Sequence, residues 1–76
     1  MIKEHDRIVL TTDVAEEGLR AGDVGTVVHV HTGGDAIEVE FVALDGETVA
    51  IVTLPVSQVR PVGKGEIPHA RPFAPV

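Results

Sequence analysis

Apolar positions along the chain fall in short runs, with glycine and proline spread among them as punctuation. No stretch of about ten residues repeats them at the 3.6-residue spacing of a helix. Valine is the commonest residue, which favours the pleated, half-buried surface of a strand. The runs predict a first strand over residues 6–11, with Ile8 and Leu10 on one face and Val9 on the other. A polar loop, 12–23, follows. Within it Val14 to Leu19 has room for one helical turn, with Asp13 as its cap and Gly18 and Gly22 halting growth. Residues 25–31, 36–42 and 47–54 read as the next three strands. Gly33-Gly34 and Asp45-Gly46, which separate them, are two-residue hairpin signals. Residues 55–58 read as a 3-10 turn and 59–62 as a short closing strand.

Register follows from the turns. A turn at Gly33-Gly34 sets Val30 opposite Ile37, Val28 opposite Val39 and Thr26 opposite Phe41, all on an inner face. His29 then faces Glu38, and Val27 faces Glu40, on the outside. A turn at Asp45-Gly46 sets Phe41 opposite Ala50 and Val39 opposite Val52, so both hairpins choose the same inner face. Five such strands cannot bury both faces of a flat sheet. The expected fold is therefore all-β, a small five-stranded SH3-like barrel over residues 1–62. Residues 63–76 carry Pro68, Pro72 and Pro75 and read as an extended tail, disordered or laid across the barrel.

Composition narrows the function. The chain has 76 residues, enough for one small domain. It has no cysteine, which excludes disulfides, cysteine-held metals and thiol catalysis. No apolar run approaches the ~20 residues that cross a membrane, and the first residues are charged, so a cytoplasmic setting is expected. Six basic residues against twelve acidic ones give a net charge of −6. That is the wrong sign for binding phosphates, and two phenylalanines leave little for base stacking.

The segment Gly22-Asp23-Val24-Gly25-Thr26-Val27-Val28 resembles the glycine turn of SH3-like barrels and of KOW modules. A longer pattern is more specific. It runs from Ile2-Lys3-Glu4-His5-Asp6 through Val9-Leu10-Thr11-Thr12-Asp13 and Gly18-Leu19-Arg20-Ala21-Gly22-Asp23 to Glu38-Val39-Glu40-Phe41. It continues with Asp45-Gly46-Glu47-Thr48, Thr53-Leu54-Pro55 and Gln58-Val59-Arg60-Pro61-Val62. Over about residues 1–62 this resembles a family of small bacterial proteins of unknown function, DUF4926-like. The resemblance implies an SH3-like barrel. More distantly, the pattern is similar to the barrels of nitrile hydratase β subunits and of the variable subunit of ferredoxin–thioredoxin reductase, accessory domains that dock on a catalytic partner. The family carries over no catalytic residues. Some such proteins are encoded beside candidate toxins, so an antitoxin-like role is one implied alternative.

The residues themselves offer few chemical sites. His29 and His31 share the outer face of the second strand, opposite Glu38, and make a candidate metal set; the competing reading is a solvated face with a weak cross-strand His–Glu pair. No serine stands beside a histidine, and Ser57 falls in the 3-10 turn. Glu16, Glu17, Glu38 and Glu40 read as solvated, which leaves no buried carboxylate for acid–base work. Gly18 to Asp23 lacks the lysine and the following helix of a phosphate loop. The chain also lacks the Tyr and Trp residues that line a proline-reading groove. No cofactor and no small-molecule substrate are expected, and no free-standing enzyme.

The fourth strand is anomalous because Thr48-Val49-Ala50-Ile51-Val52 is apolar at both parities. With Ala50 and Val52 inward, Val49 and Ile51 point outward and join Val27 and Val42 in an outer apolar patch. Its cover is the tail through Ile67 and Phe73, a second copy or a partner protein; otherwise a bent strand is half buried on both sides. The expected function is a non-enzymatic interaction or accessory module that docks on a protein partner or on itself. A KOW-like nucleic-acid role would have to use Lys3, Arg7, Arg20, Arg60, Lys64 and Arg71, with Arg7 and Arg60 converging if first and last strands are neighbours.

Overall fold

In the computed structural model, which describes residues 1–75, five strands form one antiparallel sheet. They are β1 (Arg7–Leu10), β2 (Val24–Val30), β3 (Ala36–Val42), β4 (Thr48–Pro55) and β5 (Val59–Pro61). Their order across the sheet is β4-β3-β2-β1-β5, so first and last strands are indeed neighbours. Two single 3-10 turns, Ala15–Glu17 and Val56–Gln58, interrupt the connections. Asp13 does not cap the first of them. Its carboxylate instead accepts the Ala21 N–H at 2.9 Å and ties the two ends of the long loop together.

One face of the sheet carries the core. Ile8, Leu10, Leu19, Val27, Ile37, Val39, Phe41, Val52, Leu54 and Val59 are buried together. Leu19 reaches it from the loop, which an isolated bridge between Val14 and Leu19 pinches into place.

The predicted register holds beside the first turn and fails beyond a bulge. Val30 faces Ile37 and His29 faces Glu38, with Gly33 and Gly34 both at positive φ in the turn. Then Val28 has no partner, and Val27 faces Val39. Val27 is therefore 0% exposed in the core and Val28 is 41% exposed, the reverse of strict alternation. Gly25 shows what the bulge accommodates. A Cβ there would lie 2.5 Å from Val39 Cγ1, 2.9 Å from Phe41 Cε2 and 3.0 Å from the Glu40 carbonyl. β2 thus begins with its backbone pressed against β3, and the extra residue at Val28 lets both Val27 and Val30 turn inward.

The second hairpin contains the same kind of correction. Phe41 faces Ala50 and Val39 faces Val52 as the sequence predicts, but Val42 faces Thr48 rather than Val49. The connection is a three-residue loop, Leu44-Asp45-Gly46, closed by the Ala43 N–H on the Glu47 carbonyl at 2.8 Å. Gly46 supplies the left-handed position such loops require (φ 94°), and Asp45 accepts the Glu47 N–H at 3.1 Å. Val49 is the residue that restores register, and the bulge turns it toward the core.

Candidate interaction surface

The tail leaves β5 through a turn at Gly63 to Glu66, with Gly65 at φ 81°. Glu66 receives both guanidinium nitrogens of Arg60, at 2.8 and 2.7 Å, and the Gly63 N–H. The Arg60 fork, with help from that N–H, holds the Glu66 carboxyl down at about 2. Further on, Arg71 forks onto Asp23 at 2.9 and 2.6 Å and also donates to the Gly18 carbonyl at 3.1 Å. Partial burial alone would raise the Asp23 carboxyl. The Arg71 bonds, the Arg20 N–H and the nearby guanidinium charges outweigh it and hold the carboxyl below its usual value. Phe73 then lies half buried against Gly18 and the edge of the core.

This path spans a groove of about 630 Å³. One wall is the sheet, with Arg7, Val9, Val24, Thr26, Glu40 and Val42; the other is the tail from Glu66 to Phe73. Val9 points away from the core that Ile8 and Leu10 join, yet it is only 6% exposed, because this wall is covered. The tail lies against the sheet through Phe73, one of the alternatives the sequence leaves open. Ile67, by contrast, stays exposed on the rim.

The four residues of the expected outer patch separate. Val27 is in the core, for the reason given by the Val28 bulge. Val49 is half buried, turned inward and flanked by Phe73 and Pro75 of the tail. Val42 and Ile51 remain on the outer face, 45% and 59% exposed. Val42 lines the groove together with Val24, Leu44 and Val62, which are also exposed apolar residues, whereas Ile51 lies outside it. The sequence carried a signal for Val24, which opposes Val9 once β1 and β2 are paired. Leu44 had none, since it sits in a loop.

His29 and His31 come together on the outer face. Their rings are 5.0 Å apart and nearly perpendicular. His31 Nε2 lies 3.2 Å from a Glu38 carboxylate oxygen, not aligned as a hydrogen bond, and His29 Nδ1 lies 3.8 Å from Glu4. Among the described residues no group of three or more His, Asp or Glu side chains is arranged to hold a metal ion.

The open side of β4 is the other unpartnered feature. β4 pairs only with β3, and Thr48–Leu54 makes no backbone hydrogen bond outside that ladder among the described residues. No helix among them is long and apolar enough to cross a membrane.

These features define a small all-β protein, a single five-stranded antiparallel sheet with one buried face and a strapped outer groove. The chain belongs to the family described as a domain of unknown function, DUF4926, whose model matches residues 4–61. The match covers the sheet and leaves out the tail beyond Pro61. Neither the curated proteins nor the solved structures yield a match.

Proposed function

We propose that this protein is a non-enzymatic interaction module that docks through the outer face and open edge of its sheet. The observation that carries the reading is Ile51. It is a large β-branched residue left 59% exposed in the middle of a strand whose other side has no backbone partner among the described residues. Val42 and Val24 extend the apolar surface away from it, toward the groove beneath the tail. Exposed apolar surface of this kind marks contact sites on small soluble proteins. A cytoplasmic setting fits a chain without cysteine. Nucleic acid is the poorer partner, because residues 21–59 contain six carboxylates and neither lysine nor arginine.

The test is light scattering and apolar-dye fluorescence on the full chain. The reading expects either self-association or a monomer that binds dye. Val42→Lys together with Ile51→Lys should abolish whichever is seen. A monomer that ignores the dye would count against a docking face.

A further inference from the structure

Edge strands present a row of free N–H and C=O groups, and proteins ordinarily blunt them with lysine, proline or an inward charge. β4 has none of these from Thr48 to Leu54. Pro55 only ends the strand, and the bulge at Val49 bends only its beginning. The edge is therefore open along Ala50–Leu54 as well as apolar.

Charge says what fits there. Asp23, Asp35, Glu38, Glu40, Asp45 and Glu47 are the only formal charges between Arg20 and Arg60. Asp23 is neutralised by Arg71 at the far side of the sheet. Four of the rest border β4: Glu40 faces Ile51, Glu38 faces Thr53, and Asp45 and Glu47 sit in the hairpin that leads into the strand. Among the described residues neither Glu38 nor Glu40 has a lysine or arginine partner. Glu40 takes the Thr48 hydroxyl at 2.6 Å, and Glu38 stands beside His31. Two half-exposed carboxylates thus stand two residues apart on β3, on the outer face, directly behind an uncharged edge.

We infer that the β4 edge receives an extended basic segment of another protein, which adds to the sheet as a sixth strand. On such a strand, side chains two residues apart share the outer face. Lysine or arginine at two such positions would lay its aliphatic stem over Ile51 and Thr53 and bring its charged head to Glu40 and Glu38. The carboxylate strand is two strand spacings from the added one, about 9.6 Å, a span that long basic and acidic side chains bridge together. Backbone pairing supplies the ladder and the alternating charges supply selection. A second copy is the worse occupant, because it would bring two carboxylate-rimmed edges against each other. The inference rests on the docking reading above and adds the chemistry of the partner.

The experiment is calorimetry on the full chain at low salt, with amide chemical-shift mapping. Three synthetic peptides of about ten residues are the probes. One alternates lysine with valine or threonine, one has glutamate in place of lysine, and one is the lysine peptide with alternate backbone nitrogens methylated. The lysine peptide should bind saturably, with shifts concentrated in residues 48–54. The glutamate and methylated peptides should bind at least tenfold more weakly. Ile51→Lys, with unchanged circular dichroism, should cost at least tenfold, and Ala21→Lys, on the exposed loop before β2 and away from the edge, should cost nothing. No saturable binding, equal binding of the methylated peptide, shifts elsewhere, or a free chain already paired through β4 with a second copy would each overturn the inference. If the dye test succeeds while all the peptides fail, the docking face stands and the basic-strand inference alone falls.

Discussion

Replacing Arg71 with alanine would remove the clasp that holds the tail over the groove. Arg71 makes two bonds to the Asp23 carboxylate and one to the Gly18 carbonyl, in a site where both side chains are mostly covered. Charge-assisted bonds of this kind contribute about 1.5–3 kcal/mol in protected places, and much less where solvent screens them. For this part-exposed fork we expect about 1–2 kcal/mol, which would lower the melting temperature by roughly 4–16 °C in a chain of this size. The sharper assay is a double-mutant cycle with Asp23→Asn in urea. Asparagine keeps an oxygen for the Arg20 N–H, which lies 2.8 Å from the carboxylate, so the cycle isolates the fork. The coupling should be about 1–2 kcal/mol at pH 7. The Asp23 carboxyl is held below its ordinary 3.8 in the folded chain, so this stabilisation is fully present above that value. It is lost as pH falls further and the carboxylate takes up its proton. An independent readout is the contact between the Phe73 ring and Gly18, where an added Cβ would lie 3.3 Å from the ring. That contact should weaken in Arg71→Ala. Additive single mutants, with coupling below about 0.3 kcal/mol, would refute the clasp.

Three further outcomes test the architecture. Gly25→Ala should destabilise by about 1–3 kcal/mol in urea, since its Cβ would intrude on the Val39 side chain and on the Glu40 backbone; a neutral or stabilised variant would mean the β2–β3 approach is looser than described. Val27→Asp should cost about 3 kcal/mol or more and Val28→Asp under about 1 kcal/mol, and the reverse order would restore strict alternation in place of the bulge. The Glu66 carboxyl should titrate near 2 by nuclear magnetic resonance and return to the ordinary range in Arg60→Ala; because its folded value lies below 4.5, its fork with Arg60 stabilises above that pH and fades as pH falls toward 2. A Glu66 that titrates normally in the unaltered chain would contradict the fork.

The strands were legible because their signals are local. Val30 opposite Ile37 follows from two glycines at positive φ, and Phe41 opposite Ala50 follows from the inner-face pattern of β3 and β4. The bulges were not legible, because each depends on a contact distant in sequence. Val28 drops out of the ladder where Gly25 lets β2 close on Val39 and Phe41, and no two-residue periodicity contains that approach. One missed residue then inverted Val27 and removed it from the expected surface. Asp13 departs from its expected role for a similar reason. As a cap it needed only its own neighbours, but its partner is Ala21, across a loop closed by the Val14–Leu19 bridge.

The surface divides along the same line. Ile51 lies on the outer face because the β3–β4 register runs unbroken from Phe41–Ala50 to Ile37–Leu54, and Val42 stays exposed although the bulge makes Thr48 its partner. What a residue-by-residue reading passes over is charge counted by segment. A net charge of −6 over the whole chain suggests only a generally acidic surface. Split at Arg20 and Arg60, the flanks hold all six basic residues and the middle holds none. The flanks supply β1, β5 and the tail, where Arg60 and Arg71 are consumed by Glu66 and Asp23 in fastening the strap. The middle supplies β2, β3 and β4, where Glu38 and Glu40 meet no lysine or arginine among the described residues. One side of the sheet is therefore closed by its own cations, and the other presents carboxylates beside an open edge. That asymmetry gives the edge, rather than the groove, the stronger claim to an outside partner.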